Sequence, residues 1–216
     1  QAAVAIVAGL RGLFRVALAQ AVQSVLQSGV VGINRSSGFT LIKENDRFLL
    51  ILCQFHLLFS PFRLPPVLLY LKGKLPNVDE TPTVCIVGPR ESSGFGQKAA
   101  YSLGYRLGSA GMTVVSGGAR GCDFYAHSGA LKANGKTVLI MGCGIEADYL
   151  RENAELRHAV AENGCLISEY PPFERASKFT FPVRNRLLSA LSDAVIVVEA
   201  KARSGTLNTA NHALNQ

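Results

Sequence analysis

The chain has 216 residues, of which 48% are hydrophobic and 17% charged, and its formal net charge is +7. A mean hydropathy of +0.22 with so few charges excludes a disordered chain, a collagen-like repeat and a coiled coil. No run of sequence reaches the roughly 20 consecutive apolar residues that a membrane-spanning helix needs. The basic excess is spread along the chain, so it favours a polyanionic partner only slightly over an ordinary charged surface.

The hydrophobic pattern upstream of residue 61 is irregular. Apolar residues over 15–26 recur at helical spacing, and the apolar run over 48–59 predicts a buried helix. Three prolines then exclude a long helix between 60 and 67. The residues VLLYLKG at 67–73 predict a short strand that leads into a linker.

From residue 83 onward, short apolar runs alternate regularly with helical stretches. The runs are almost continuously apolar, as strands covered on both faces of a parallel sheet are. Repeated strand–helix units with short connections predict an α/β fold with a doubly wound, Rossmann-like, mostly parallel sheet. The strands are expected at 84–88, 112–116, 136–141, 164–168 and 194–199, and the helices at 96–109, 122–133, 152–163, 184–192 and from 205.

The chain divides into three parts on this pattern. Residues 1–60 form an ill-defined N-terminal segment that is expected to be partly helical. Residues 61–82 hold the strand and linker that lead into the core. Residues 83–216 form the Rossmann-like domain.

The loops that follow the predicted strands share a chemistry. Four of the five contain glycine, and basic residues recur in them at Arg90, Arg120, Lys201 and Arg203. In a doubly wound sheet, ligands bind at the carboxyl ends of the strands, where the helices begin. Backbone N–H groups and positive helix ends should therefore face one crevice, which predicts a phosphate-binding site.

Two of these segments stand out, and each has a plain alternative. SGGARGCD at 116–123 has three glycines, which allow a ligand to approach the backbone closely. A tight turn with a solvent-exposed arginine would explain the glycines, but not why Arg120 stands between two of them. FTFPVRNR at 179–186 sets aromatic rings beside Arg184 and Arg186, as single-stranded nucleic acid binding requires. A core phenylalanine with surface arginines explains that segment equally well.

Several common chemistries lack their residues. The glycines after the first strand depart from the dinucleotide fingerprint, the second strand ends in Ser116 where a ribose-binding acid would stand, and no Walker loop follows a strand. Asp123 and His127 share a helical face, but no nucleophile elbow accompanies them, which favours a packed histidine. No pair of cysteines has metal-ligand spacing. We therefore predict no cofactor, no metal and no catalytic residue.

The five cysteines are odd in number, widely spaced and set within apolar runs. This pattern predicts reduced thiols packed in the core and a cytoplasmic protein.

From about residue 64 to residue 216, the chain resembles the DNA-processing protein A family, DprA, also called Smf. Any one of the matching blocks would be weak evidence, but seven of them occur in order. They are PPVLLYLKG (65–73), VCIVGPRESSGFG (84–96), VVSGGARGCDFYAHSGAL (114–131), MGCGIEADYLREN (141–153), LISEYPP (166–172), FPVRNRLLSALSDAVIVVEA (181–200) and RSGTLNTANHAL (203–214).

The resemblance implies an extended Rossmann-like domain that binds single-stranded DNA without sequence specificity and has no known enzymatic reaction. It also implies a homodimer that engages no membrane, protects incoming single strands and helps to load the RecA recombinase during natural transformation and recombination. It places Arg90, the 117–121 turn and 184–186 in the DNA contact, and Phe179 or Phe181 is expected to stack on a base. The full set of expected phosphate- and DNA-binding residues is Gly88, Arg90, Ser92, Gly117, Gly118, Arg120, Gly121, Phe181, Arg184, Asn185, Arg186, Ser204, Gly205 and Thr206.

Three features depart from the family pattern. Pro89 stands where the family has serine and removes a backbone donor from the loop. Gly118 replaces a leucine. The family continues past the position of Gln216 with a further strand and often a winged-helix domain, so the core is expected to be truncated at its C-terminus.

An enzyme is the alternative prediction. Nucleotide phosphoribohydrolases of the lysine-decarboxylase-like type share glycine-rich turns on a Rossmann-like fold. Their signature turn carries a glutamate that the comparable turn at 202–209 lacks, so Glu199 would be the carboxylate to test.

Overall fold

The strands of this protein form one mixed sheet. The computed structural model describes residues 5–8, 39–44, 48–53, 66, 68–78, 80–200 and 204–215. Within these ranges the strands are β1 Ala5–Ala8, β2 Phe39–Glu44, β3 Phe48–Cys53, β4 Leu68–Gly73, β5 Thr83–Val87, β6 Thr113–Ser116, β7 Thr137–Met141, β8 Cys165–Ser168 and β9 Ala194–Val197. Their order across the sheet is β1-β9-β5-β6-β7-β8-β4-β3-β2.

The central five strands, β9-β5-β6-β7-β8, are parallel to one another. Antiparallel strands extend them on both sides, β1 beside β9 and β4, β3 and β2 beyond β8. Because parallel neighbours need crossover connections, helices separate the central strands along the chain. In the described part of the chain these are α1 Gly94–Ser109, α2 Cys122–Lys132, a 3₁₀ helix Arg151–Asn153, α3 Ala154–Asn163, α4 Thr180–Ala190 and α5 Gly205–Leu214.

The helices cover both faces of the sheet. On β7, Val138 and Ile140 pack in a cluster with α4 and α5, whereas Leu139 and Met141 pack in one with α3. A third cluster joins β5 and β6 to α1 and α2. Successive strand residues point to opposite faces, so the continuous apolar runs fill two cores at once. The predicted doubly wound α/β fold is confirmed.

The expected helix over 48–59 is wrong for residues 48–53, which form β3 between β2 and β4. A short, uniformly apolar run has no periodicity that separates a strand from a buried helix. The helix expected over 15–26 lies outside the described residues. The strand predicted at 67–73 is confirmed as β4, which pairs with β8 rather than merely preceding the core. Helix α4 begins at Thr180, earlier than expected, because a proline in the first turn lacks only an N–H that has no partner there.

The strand order reverses direction beside β5. From β5 the chain moves stepwise to β6, β7 and β8 on one side, and then returns to place β9 on the other side. In open α/β sheets, such a switch point leaves a crevice at the carboxyl ends of the two strands. Here the crevice lies between the loops that follow β5 and β9.

Within the described ranges, no helix combines the length and the apolar character needed to cross a membrane.

Candidate nucleic-acid interface

A cleft of about 380 Å³ opens at this switch point. The β5–α1 loop forms one wall, and the first turns of α4 and α5 form the other. Asp123 and Ala119 of the β6–α2 connection contribute to it as well. Eight of the residues expected from the sequence meet here: Gly88, Arg90, Phe181, Arg184, Asn185, Ser204, Gly205 and Thr206.

Arg90 is the exposed cation of the cleft. Its guanidinium carbon lies 5.0 Å from the centroid of the Phe181 ring, a distance typical of a cation–π contact. Phe181 is held in turn by Tyr149, whose ring centroid is 5.2 Å away, and by Gly142, where any Cβ would overlap the phenylalanine ring. Arg90 is therefore placed against an aromatic ring, and its N–H groups form no hydrogen bond with the described residues.

Arg184 is a buried residue with internal partners, and its side chain is 5% exposed. Nη1 donates a hydrogen bond to Gly117 O at 2.9 Å and another to Ile140 O, and Nε donates to Asn185 Oδ1 at 3.2 Å. These bonds join the ends of β6 and β7 to α4. Arg184 thus lines the floor of the cleft, and its hydrogen bonds mainly stabilise the packing of α4 against the sheet.

Asp123 is a buried residue whose carboxyl group lies near Arg184. Its carboxylate accepts a hydrogen bond from Ala119 N at 3.3 Å. Burial raises the pKa of Asp123, and the positive charge of Arg184 opposes that rise; burial also lowers the pKa of Arg184, against the pull of Asp123. Burial therefore disfavours the charged form of each group, and each group favours the charged form of the other.

The glycines of the 117–121 turn are required by internal packing. A Cβ on Gly117 would lie 2.7 Å from both Arg184 Nη2 and Asp123 Oδ2. Gly121 has a φ of 73°, and a Cβ there would overlap the carbonyl oxygens of Pro89 and Arg90. Gly118, also at positive φ, packs on Leu139. The tight-turn alternative thus accounts for these glycines without a ligand.

The start of α5 forms the far wall of the cleft. Asn185 Nδ2 donates to Gly205 O and to Asn208 Oδ1, both at 3.3 Å, which ties α4 to the first turn of α5. Among the residues that the structure describes, no atom lies within 4 Å of the position that a Cβ on Gly205 would take. The first turn of α5 is therefore open on the side of Gly205, and Ser204, Gly205 and Thr206 line the cleft.

Three expected side chains lie elsewhere. Arg120 is exposed and forms an ion pair with Glu152. Arg186 Nη2 lies 2.6 Å from Glu169 Oε1 and points away from the cleft, because residues two apart leave a helix in different directions. Ser92 is a half-buried residue of the β5–α1 loop that does not line the cleft, and its carbonyl oxygen accepts a hydrogen bond from Gln97 Nε2 at 3.3 Å. Of the four arginines expected to contact DNA, the structure places Arg90 and Arg184 in the lining of the cleft.

A carboxylate occupies the N-terminus of α1. Glu199, two residues beyond β9, accepts hydrogen bonds from Ser93 N at 3.0 Å and from Ser93 Oγ. From the sequence, Glu199 is a candidate only as a catalytic residue, and Tyr149 is not among the expected site residues. Glu199 follows β9 and Tyr149 follows β7, both at the carboxyl edge of the sheet. Their position after a strand was the sequence feature that could have indicated them.

His127 is a packed histidine. Thr137 Oγ1 donates to Val114 O at 2.8 Å, so His127 Nδ1, 2.7 Å from that oxygen, is the donor of the pair. Burial lowers the pKa of His127 to about 3, which leaves the ring neutral. His127 therefore stabilises the sheet and does not form a catalytic pair with Asp123.

Four of the cysteines have buried, free thiols: Cys85, Cys122, Cys143 and Cys165. Burial raises the pKa of Cys122 and Cys143 to about 11, which keeps them protonated and unreactive. The prediction of reduced, core-packed cysteines is confirmed for these four.

The fold and the cleft together define a Rossmann-like domain with a cleft of about 380 Å³ at its switch point, lined by Arg90 and Arg184 and also by Glu91 and Asp123. The profile of the family described as DNA recombination-mediator protein A matches residues 54–216. The chain belongs to this family, whose members carry the names DprA and Smf.

Two relatives illustrate the similarity. The Bacillus subtilis DNA processing protein DprA is 38% identical over 152 residues, which cover 70% of this chain and 51% of that protein. The Streptococcus pneumoniae protein of the same name is 39% identical over 151 residues, covering 70% and 53%. The chain thus spans about half the length of the curated relatives it matches.

Two solved structures share the fold. The DNA processing protein A of Streptococcus pneumoniae matches with a TM-score of 0.65 and 38% identity, over 72% of this chain and 54% of that one. The Helicobacter pylori protein, studied for its single-stranded DNA binding mode, matches with a TM-score of 0.66 and 29% identity, over 81% and 75%.

Proposed function

We propose that this chain binds single-stranded DNA without sequence specificity, with the DNA backbone running through the cleft at the switch point. The observation that carries the proposal is the placement of the exposed Arg90 guanidinium, supported by Phe181, opposite the open N-terminus of α5. A cation on one side and free amide donors on the other form a site for a phosphate group.

The cleft reads the sugar-phosphate backbone rather than the base sequence. Its ligand-facing donors are the Arg90 guanidinium and the backbone N–H groups around Gly205. Such donors recognise phosphate oxygens, which are the same at every nucleotide. This chemistry supports binding without sequence preference.

Phe179 supplies a ring for a base. Both its neighbourhood and its exposure favour this role: the side chain is 72% exposed, and Lys178 Nζ lies 5.1 Å from the ring centroid. Phe181 is already in contact with Arg90 and Tyr149, so little of its ring remains for stacking. An exposed aromatic beside a cation, at the edge of a phosphate site, is the arrangement that single-strand binding uses.

The comparisons support the same function. The Helicobacter pylori protein that shares the fold was studied for its single-stranded DNA binding mode, and the family is described as a recombination mediator. On this basis we also propose that the protein acts as a homodimer, protects single strands and helps to load a RecA-type recombinase during natural transformation and recombination. Light scattering of the pure protein tests the dimer, and nucleation of RecA filaments on coated DNA tests the loading.

We propose a binding protein rather than an enzyme. The phosphoribohydrolase alternative needs a carboxylate beside the ligand. Glu199 instead accepts hydrogen bonds from Ser93 on the other side of the β5–α1 loop. An assay for base release from AMP tests this choice, and turnover that disappears in Glu199→Gln would refute it.

The principal experiment is a titration of labelled oligothymidine at several salt concentrations. Each phosphate that a cation neutralises contributes a slope of about −0.7 to log affinity against log salt. A negative slope supports phosphate binding in the cleft. An affinity that does not respond to salt would refute it.

A further inference from the structure

Helix α1 begins with an anion that belongs to the protein itself. The Glu199 carboxylate accepts from both the backbone N–H and the hydroxyl of Ser93, the N-cap residue, whose hydroxyl in turn accepts from Gly96 N at 3.0 Å. A Cβ on Gly96 would overlap Glu199 Oε2, so the carboxylate lies directly against the first helical turn. Two hydrogen bonds from Ser93 fix the carboxylate in this position, and the lack of a side chain at Gly96 leaves room for it.

The position matters because of where α1 lies in the fold. In doubly wound nucleotide-binding domains, the helix that follows the first central strand receives the phosphates at its N-terminus. Here β5 is that strand and α1 is that helix. Glu199 places its negative charge where a nucleotide phosphate would place its own.

The β5–α1 loop separates this helix end from the cleft. Arg90 and Glu91 of the loop line the cleft, whereas Glu199 and Ser93 lie behind it and are not among the residues that form its walls. The loop therefore presents the exposed Arg90 on the face toward the cleft. On its other face, the Glu199 carboxylate occupies the N-terminus of α1.

We propose that Glu199 is a specificity-determining residue. It mimics a phosphate at the α1 N-terminus, excludes nucleoside diphosphates and dinucleotides from the first turn of the Rossmann fold, and leaves the Arg90 face of the loop to the DNA backbone. The exclusion of free nucleotides is independent of the proposed function, and only the assignment of the Arg90 face to DNA rests on it.

The test is the substitution Glu199→Ala, with ADP as the probe in titration calorimetry. We expect no ADP binding by the wild-type protein at millimolar concentration and measurable binding by the variant, because the Ser93 donors and the helix end become available. Removing one like charge about 4 Å from a phosphate raises affinity by at least about fivefold even in water.

Glu91→Ala is the matched control. Glu91 is an exposed carboxylate of the same loop, and it forms no hydrogen bond or ion pair with the residues that the structure describes. Equal ADP binding by Glu91→Ala and Glu199→Ala would overturn the proposal, since net charge alone would then explain the gain. No ADP binding by a folded Glu199→Ala variant would also overturn it.

A second variant covers a loss of folding. Glu199→Gln keeps an acceptor for Ser93 but removes the charge, and thermal melting reports whether each variant is folded. Measurable ADP binding by Glu199→Gln supports the proposal, and no ADP binding by the folded variant overturns it. If the wild-type protein fails to bind oligothymidine while Glu199→Ala gains ADP binding, the DNA function fails and the role of Glu199 stands.

Discussion

The guanidinium of Arg90 lies 5.0 Å from the centre of the Phe181 ring. Arg90 follows β5, the first parallel strand, and Phe181 lies in the first turn of α4, the helix before β9. The contact therefore joins the two sides of the switch point. It also gives the two residues different tasks. Arg90 faces the ligand, and Phe181 with Tyr149 behind it holds the arginine in place.

The first prediction concerns the charge of Arg90. We expect Arg90→Ala to weaken oligothymidine binding about tenfold and to reduce the magnitude of the salt slope by about 0.7, because one phosphate contact is lost. Fluorescence anisotropy at several salt concentrations measures both quantities. Arg106→Ala removes the same charge at the far end of α1 and should leave both nearly unchanged. Equal losses in the two variants would argue against the cleft.

The second prediction separates the two phenylalanines. Phe179→Leu should weaken binding by about 1–3 kcal/mol without changing the salt slope, because a stacked base loses its ring. Phe181→Leu should instead reduce the salt slope, because Arg90 loses its support. The same anisotropy titrations distinguish the two effects. If Phe179→Leu binds like the wild-type protein, the bases do not stack there.

The third prediction concerns Arg184. Leaving a buried hydrogen-bond acceptor without a donor costs about 1–3 kcal/mol, so Arg184→Met, which removes the donor to two backbone carbonyls, should lower the free energy of unfolding by about 2–6 kcal/mol in urea denaturation. The two carbonyls are those of Gly117 and Ile140, and the variant also removes the positive charge that opposes the rise in the pKa of Asp123. Arg120→Met, which breaks an exposed ion pair, should change stability little. A stable Arg184→Met protein that had lost only DNA binding would show that Arg184 serves the ligand directly.

The fourth prediction concerns pH and His127. Burial lowers the pKa of His127 from 6.5 to about 3 in the folded protein. The unfolded chain takes up a proton near 6.5, so the stability from neutral His127 is complete above that pH and declines as the pH falls toward 3. At pH 5 the loss should be about 2 kcal/mol.

His127→Gln is the variant that checks this assignment, by urea denaturation between pH 5 and 7. It should flatten the decline, whereas the exposed His158→Gln should not. An unchanged pH dependence in His127→Gln would mean that other groups cause it.

The sequence predicted the central sheet well because its strands are covered on both faces. Runs such as Val84–Val87 must then be apolar throughout, and the loops between them carry the glycines and arginines of the switch point. Helix and strand could not be told apart at 48–53, because a short apolar run fits either one. The pairing of β3 with β4 depends on distant chain segments that local pattern does not reveal.

The candidate site was predicted in outline but not in its electrostatics. Glycine and arginine at strand ends indicated the right edge of the sheet. The partners of Arg120 and Arg186, however, are Glu152 and Glu169, and only the folded geometry brings these carboxylates near. Likewise, the sequence around Arg184 does not show whether its side chain is buried with internal partners or exposed to a ligand.

Both outer edges of the sheet come from the N-terminal part of the chain. β1 covers β9 on one side, and β3 covers β4 on the other. A fragment that began at residue 61 would therefore expose the edges of both β9 and β4. The unpaired amide and carbonyl groups of each edge could then pair with another molecule. We therefore expect removal of β1 to β3 to promote association of the core through these two edges, since the three strands belong to the sheet and are not an appended module.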